Sequence, residues 1–414
     1  MNEIKQAVIL CGGKGTRLRP HTDNTPKPMV HVGSYPFLEY LINQLSMQGI
    51  EKILILSGYL GEKIRDYFGN GEKWNINIEY SHGPTEWKTA KRLWKAKDLI
   101  DHQFLFLYSD NFINFNLQKL SEFHYSNQKP LTISLSKKDN GNIRLSSQNI
   151  IEKYDKNRTD KNLELVDIGF MIVNKSITLD FYDHKNSSFS NIIEKMTNKK
   201  LISGFQYFDS YYSISDPARL KIASKYLLNS KILLLDRDGT LNYRAPKAKY
   251  INSWSDFKWL PGVKEGLNIL AREGFKFIVI SNQAGVARGM LTERQVIAIN
   301  EKMKQELENN SIEIINSYFC PHHWDENCYC RKPNPGLFYQ ASKDFLFRLD
   351  KTLFIGDDSR DCQAAYNAGC KSLFIGDQEE LNQITKKEYP IKSFQKLYDA
   401  VPNILKFYET NKLI

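Results

Sequence analysis

Residues 231–242 read KILLLDRDGTLN: an apolar run that ends in Asp236 and Asp238, one residue apart, and then a Gly239-Thr240 turn. The run has the length and composition of a buried strand. It divides the sequence into a domain before it, 1–229, and a domain after it, 230–414. At the carboxyl end of a strand in a parallel sheet the chain bends, and α/β folds bind their ligands there, so both carboxylates can converge on one site. Two carboxylates in such a place suit a divalent cation and a phosphate.

Later strand ends repeat the pattern. The apolar stretch 275–280 closes on Ser281-Asn282-Gln283, and 353–355 closes on Gly356-Asp357-Asp358, with Asp361 beyond. Between them lie Cys320-Pro321-His322 and, after five residues, Cys328-Tyr329-Cys330. Three cysteines and a histidine so close in sequence can close a tetrahedron around Zn2+, and a closed set of this kind is structural rather than catalytic. Arg331 and Lys332 follow at once, so a metal there would fix the loop that presents Lys332. The remaining cysteines, Cys11, Cys362 and Cys370, are scattered in apolar settings and read as core; no disulfide is implied.

The chain opens with another strand, 6–10, running into Cys11-Gly12-Gly13-Lys14-Gly15-Thr16-Arg17. Glycines there allow backbone N–H groups to face phosphate oxygens, while Lys14 and Arg17 add charge. Pro26 and Pro28 brace Lys27 on a stiff segment, and the strand 104–108 ends at Ser109-Asp110, where a carboxylate can hold Mg2+ against nucleotide phosphates. Alternating helices and strands between these points make the first domain α/β as well.

Bulk properties narrow the partners. With 414 residues, 41% apolar and 25% charged, the chain is expected to hold two to three folded domains. The net charge of +10 carries no block of consecutive basic residues, which favours small polyanionic substrates over nucleic acid. No uncharged span approaches ~18 residues. A soluble, cytoplasmic protein with no membrane partner is the expectation; the oligomeric state, a homo-oligomer included, is left open.

GGKGTRLRP followed by TPKPM resembles the signature of the sugar-phosphate nucleotidyltransferases. The resemblance implies a Rossmann-like α/β/α sandwich in which Gly12, Gly13, Gly15 and Thr16 bind a nucleoside triphosphate, Arg17 and Lys27 act on its phosphates, and Asp110 binds Mg2+. It further implies that Glu152 and Lys153 meet the sugar phosphate and that Gly169 lies under the sugar. Two stretches depart from the family. Trp87-Lys88-Thr89-Ala90-Lys91-Arg92 replaces a glycine-rich segment, and Ser213 stands where relatives carry a second metal-binding aspartate, leaving Asp209 or Asp216 as stand-ins. Asp216 before Pro217 also reads as a helix cap, the preferred reading.

DxDGT, Ser281, Lys332 and Asp357 in this order resemble the four motifs of the haloacid-dehalogenase phosphatases, of a branch with a zinc-braced loop and no large cap. By that resemblance Asp236 is the nucleophile, Asp238 the acid and base, and Ser281 and Lys332 hold the phosphoryl group. Asn282 and Arg331 bind substrate, and Asp236, Asp357 and the Asp238 carbonyl hold Mg2+. The branch contains heptose 1,7-bisphosphate and histidinol-phosphate phosphatases. Together the two resemblances imply a bifunctional enzyme of nucleotide-sugar synthesis, with GTP the donor by pathway analogy. Two alternatives remain: a cytidylyltransferase for a polyol or ketose phosphate fused to a phosphatase, and a phosphatase with a nucleotide-binding but inactive first domain. Asn229-Ser230 is the only linker, which implies restricted domain orientation, and the tail after Gly376 reads as one or two surface helices.

Overall fold

The computed structural model describes residues 4–185, 187–228, 231–246 and 249–410. The linker Asn229-Ser230 lies outside the described residues. The chain divides into two compact units, Met1–Lys225 and Tyr226–Leu413.

In the first unit Gln6–Cys11 is the central strand. It pairs in parallel with Lys52–Ser57 on one side and with Gln103–Tyr108 on the other. Asn77–His82 extends the sheet beyond Lys52–Ser57 in parallel, and Leu165–Asn174 joins Gln103–Tyr108 antiparallel. Chain order along the sheet therefore reverses at the central strand, and the turns after Cys11 and Tyr108 open side by side at that crevice. Among the described residues the sheet has nine strands. Both of its faces are covered, which is why Val8, Ile9, Leu54, Ile55, Phe106 and Leu107 are all fully buried despite pointing alternately up and down.

The second unit is an all-parallel sheet ordered Ile314–Cys320, Lys276–Asn282, Ile232–Leu235, Leu353–Gly356, Lys371–Ile375, Lys392–Phe394. Alternation along Ile232–Leu235 sends Leu233 and Leu235 into one core with Phe277, Val279 and Ile355, and Ile232 and Leu234 into the other with Ile278, Phe338 and Phe354. The order again reverses at this first strand, so Asp236 and Asp357 leave adjacent strands at the switch point.

The tail is not a pair of surface helices. Lys392–Phe394 adds the edge strand, and Leu397–Thr410 is a core helix whose Leu397, Ala400, Val401, Ile404 and Tyr408 are buried. Spacings of three and four put those residues on one stripe, packed with Val263, Leu267 and Leu270 of the helix Val263–Arg272. Tyr408 Oη donates to the Ile232 carbonyl and accepts from the Leu353 N–H at 3.1 Å, tying the helix to two central strands. Tyr408→Phe strands both buried backbone groups. It is expected to cost about 2 kcal/mol in urea denaturation, and a change of less than about 0.5 kcal/mol would contradict the tie.

Candidate active sites

At the switch point of the second unit, three carboxylates gather around one ammonium. The Lys332 Nζ lies 2.5 Å from Asp236 Oδ1, 2.7 Å from Asp361 Oδ1, and donates to the Ile280 carbonyl at 3.0 Å. Asp236, Asp357 and Asp361 each offer an oxygen within 4.8 Å of the others, a donor set that suits a hard divalent cation. The close approach depends on Gly239: at φ +100° it has no Cβ, and one there would come within 1.7 Å of Asp357 Oδ2. Asp361 is fixed from behind, since the N–H groups of Asp357 and Asp358 both donate to its Oδ2 at 3.1 Å.

Electrostatics separates the members. Burial, with the neighbouring carboxylates, pushes Asp236 and Asp357 above the usual carboxylate range although Lys332 and Arg244 oppose it. Lys332 is held charged: burial works against its ammonium, but Asp236 and Asp361 outweigh that. Asp238 goes the other way. Its burial is overcome by Arg237, fully buried and 2.8 Å away, with Gln283 at 2.8 Å and Asn242 at 2.9 Å also donating, so its pKa is lowered. Asp238 is thus poised as a base. Acting as an acid first requires it to pick up a proton as an anionic substrate arrives.

A cavity of about 270 Å³ opens above this cluster, lined among others by Asp236, Asp238, Asn282, Gln283, Lys332 and Asp361. Asn282 and Lys332 are locked reciprocally, Lys332 N–H to Asn282 Oδ1 and Asn282 Nδ2 to the Lys332 carbonyl, both at 3.0 Å. Ser281 is buried beneath the lining, its hydroxyl accepting from Gln283 at 3.4 Å. Arg331 points to the zinc-type loop instead, donating to the His322 carbonyl at 3.3 Å.

In that loop the donor atoms nearly touch. Cys330 Sγ is 3.1 Å from His322 Nδ1, 3.3 Å from Cys320 Sγ and 3.5 Å from Cys328 Sγ; Cys320 Sγ is 3.5 Å from both His322 Nδ1 and Cys328 Sγ. Zinc–sulfur bonds of about 2.3 Å set tetrahedral edges of roughly 3.8 Å, close to these values. A disulfide needs about 2.05 Å, and all three cysteines are free thiols.

The first unit has a cavity of about 510 Å³ at its own switch point, lined by Gly12, Gly13, Gly15, Thr16, Arg17, Lys27, Tyr108, Asp110 and Ser215, among others. Lys27 Nζ is ion-paired with Asp110. The Ser213 region lies where the resemblance places it: Ser213 pairs with Asn111, and the Ile214 N–H donates to the Asp110 carbonyl at 3.0 Å. Neither proposed stand-in reaches the lining. Asp216 caps the helix Pro217–Leu227 by accepting from the Arg219 N–H at 3.0 Å, and Asp209 is buried, accepting from the Ser210 N–H at 2.7 Å. Glu152 and Lys153 are exposed on the strand Ile151–Tyr154, with Lys153 paired to Asp160 at 2.8 Å, and Gly169 backs onto the Tyr108 ring; none of the three appears among the lining residues.

Arg92 was not anticipated. Only 4% exposed, it donates to five carbonyls: Ser57 at 2.6 Å, Pro84 at 2.6 Å, Gly83 and Trp87 at 3.1 Å, and Gly12 at 3.4 Å. Its guanidinium fills the space beside Gly12, where a Cβ would come within 2.4 Å. Gly12 is therefore required by Arg92 as much as by a phosphate. Arg92→Ala is expected to cost about 3 kcal/mol in the first unit's thermal transition, and loss of nucleotide-induced stabilisation should accompany it.

Residues 6–216 match the nucleotidyl transferase family, and residues 231–390 match the polynucleotide kinase 3 phosphatase family. Over 150 residues, 34% of this chain and 78% of the relative, the second unit is 36% identical to the D-glycero-beta-D-manno-heptose-1,7-bisphosphate 7-phosphatase of Yersinia pestis. It is 32% identical over 152 residues, 35% of this chain and 81% of the relative, to the D-glycero-alpha-D-manno-heptose-1,7-bisphosphate 7-phosphatase of Photorhabdus laumondii. The crystal structure of the D,D-heptose 1.7-bisphosphate phosphatase from B. bronchiseptica, complexed with magnesium and phosphate, is 27% identical, covers 42% of this chain and 98% of its own, and has a TM-score of 0.39. Fold, site and sequence thus define a nucleotidyltransferase joined to a phosphomonoesterase. The chain belongs to the nucleotidyl transferase family in its first unit and to the family of heptose-1,7-bisphosphate 7-phosphatases in its second. Among the described residues no helix is long and apolar enough to cross a membrane.

Proposed function

We propose that the chain carries out two consecutive steps of nucleotide-sugar synthesis. The second domain, 230–414, removes the 7-phosphate of a heptose 1,7-bisphosphate, and the first, 1–229, couples the remaining 1-phosphate to a nucleoside triphosphate and releases pyrophosphate. The observation that carries the reading is the Lys332 bridge between Asp236 and Asp361 beside Asp357, in a unit 36% identical to a heptose bisphosphate phosphatase.

In the phosphatase, an Asp236 oxygen attacks phosphorus and the bond to the heptose 7-oxygen breaks, the proton for that oxygen coming from Asp238. Asp238 then takes a proton from water, which attacks the aspartyl-phosphate and returns Asp236 as carboxylate. Lys332 offsets phosphoryl charge at both stages, with Ser281 and Asn282 beside it. Mg2+, held by Asp236, Asp357 and the Asp238 carbonyl, would supply further charge neutralisation. Asp361 is better read as the partner of Lys332 and of the backbone turn. Zn2+ on Cys320, His322, Cys328 and Cys330 would brace the loop that carries Arg331 and Lys332.

In the transferase no general base is needed, because the attacking sugar phosphate is already an anion. Arg17 and Lys27 offset charge on the triphosphate, and the Gly12–Thr16 turn seats it. Mg2+ on Asp110 would add to that neutralisation and would have to share the carboxylate with Lys27. A second reading, a nucleotide-binding unit without turnover, is favoured by Ser213, a hydroxyl on the strand opposite Asn111 where relatives have a carboxylate.

The test of the phosphatase step is 31P NMR of the full chain with Mg2+ and each anomer of heptose 1,7-bisphosphate, since the two relatives differ in the anomer named. Loss of the 7-phosphate signal with retention of the 1-phosphate is expected; loss of neither sinks the proposal.

A further inference from the structure

Three cations outside the motif turns line the phosphatase cavity: Arg244, Lys249 and Arg360. Arg360 is committed to Asp358, holding both its oxygens at 2.8 and 2.6 Å. Arg244 is placed differently. Its Nε lies 2.6 Å from Asp357 Oδ2 and 3.4 Å from the Asp238 carbonyl, and its Nη2 lies 3.2 Å from Asp358 Oδ2.

Asp357 and the Asp238 carbonyl are two of the three groups assigned to Mg2+. One nitrogen, Arg244 Nε, thus lies near both oxygens, which the cation would have to draw to about 2.1 Å, so the guanidinium and the cation compete for the same pair of groups. Arg244 is free to yield, because its side chain lines the cavity and is 43% exposed while that of Asp357 is only 10% exposed. Charge favours the exchange as well. Three carboxylates against the Lys332 ammonium leave two negative charges, which a divalent cation cancels. The guanidinium is then surplus to the carboxylates, Asp358 already being held by Arg360, and its charge joins that of the exposed Lys249 in the cavity lining.

We infer that Arg244 is a substrate-reading residue that trades places with the catalytic cation: Mg2+ takes Asp357 and the Asp238 carbonyl, and the released guanidinium grips the second anionic group of a bisphosphate substrate. The inference rests on the bisphosphate reading above. It couples the two ligands, since an anion that holds Arg244 at the mouth removes the competitor of Mg2+, so each tightens the other.

The test uses the full chain and the variants Arg244→Ala and Arg244→Gln, the latter keeping most of the bulk. Mg2+ titration by calorimetry should show tighter binding in both variants than in the parent. Heptose 1-phosphate, which offers only the distal phosphate, should tighten Mg2+ binding in the parent and not in the variants. The preference for heptose 1,7-bisphosphate over heptose 7-phosphate, as a ratio of kcat/KM values, should fall roughly 30-fold. Unchanged or weaker Mg2+ binding in both variants, or an equal loss on both substrates, would overturn the inference. If the parent released no phosphate from the bisphosphate, the heptose reading would fail, while the Mg2+ titration would still judge the exchange.

Discussion

Asp236→Asn is expected to lower phosphate release on the order of 10⁵-fold, because an amide cannot form the aspartyl-phosphate and no other group takes over when a covalent nucleophile is removed. Asp236 is 7% exposed, and its burial already pushes its charge toward neutrality. Removing that charge also leaves Lys332 with a partner, since Asp361 stays 2.7 Å away. The fold should therefore survive, with a stability change within about 1 kcal/mol, much smaller than the penalty for a buried charge left alone. Asp238→Asn removes the acid of the first step and the base of the second, so phosphate release should fall in that variant as well. A loss below about 100-fold for Asp236→Asn would place the nucleophile elsewhere.

Cys330→Ser is the second large effect. Cys330 Sγ lies within 3.5 Å of each of the other three donors, as Cys320 Sγ does, so its loss opens the cluster on three sides. A serine hydroxyl does not replace a zinc thiolate, and three ligands on a partly exposed loop hold the metal poorly. Elemental analysis should find about one zinc per parent chain and almost none in the variant. Phosphate release should fall roughly 100-fold, because Lys332 follows two residues later and loses the loop that aims it. Pyrophosphate release should be unaffected. A variant that kept both its metal and its phosphatase activity would exclude this cluster as a metal site.

Much of this was readable because it is local. Cys320, His322, Cys328 and Cys330 lie within one short loop, and Asp236, Ser281 and Asp357 announce themselves by following apolar strands, so sheet topology gathers them without further information. What escaped depends on contacts across the fold. Arg92 is a cation on an ordinary-looking helix whose burial is decided by carbonyls as distant in sequence as Gly12 and Ser57. Its one signal was the bulk of the Trp87–Arg92 segment, a departure that only the Gly12 packing explains. Arg244 sits in a stretch with no periodicity, and nothing in its neighbours points to Asp357. The tail helix did carry a legible stripe, Leu397, Ala400, Val401, Ile404 and Tyr408, but Pro402 within it and the surrounding lysines masked the pattern. Glu152 and Lys153 were legible only by their order along the chain; their strand leaves both side chains exposed, and neither lines the cavity.

Whether one chain performs both steps is decided by a pyrophosphate-release assay. Full-length protein with Mg2+ is incubated with GTP, CTP, ATP or UTP in turn, and with heptose 1,7-bisphosphate or heptose 1-phosphate. Phosphate release from the bisphosphate followed by pyrophosphate release with one nucleotide is expected, GTP being the expected donor, with immediate pyrophosphate release when heptose 1-phosphate is supplied. Phosphate release without pyrophosphate from any of the four nucleotides would contradict it.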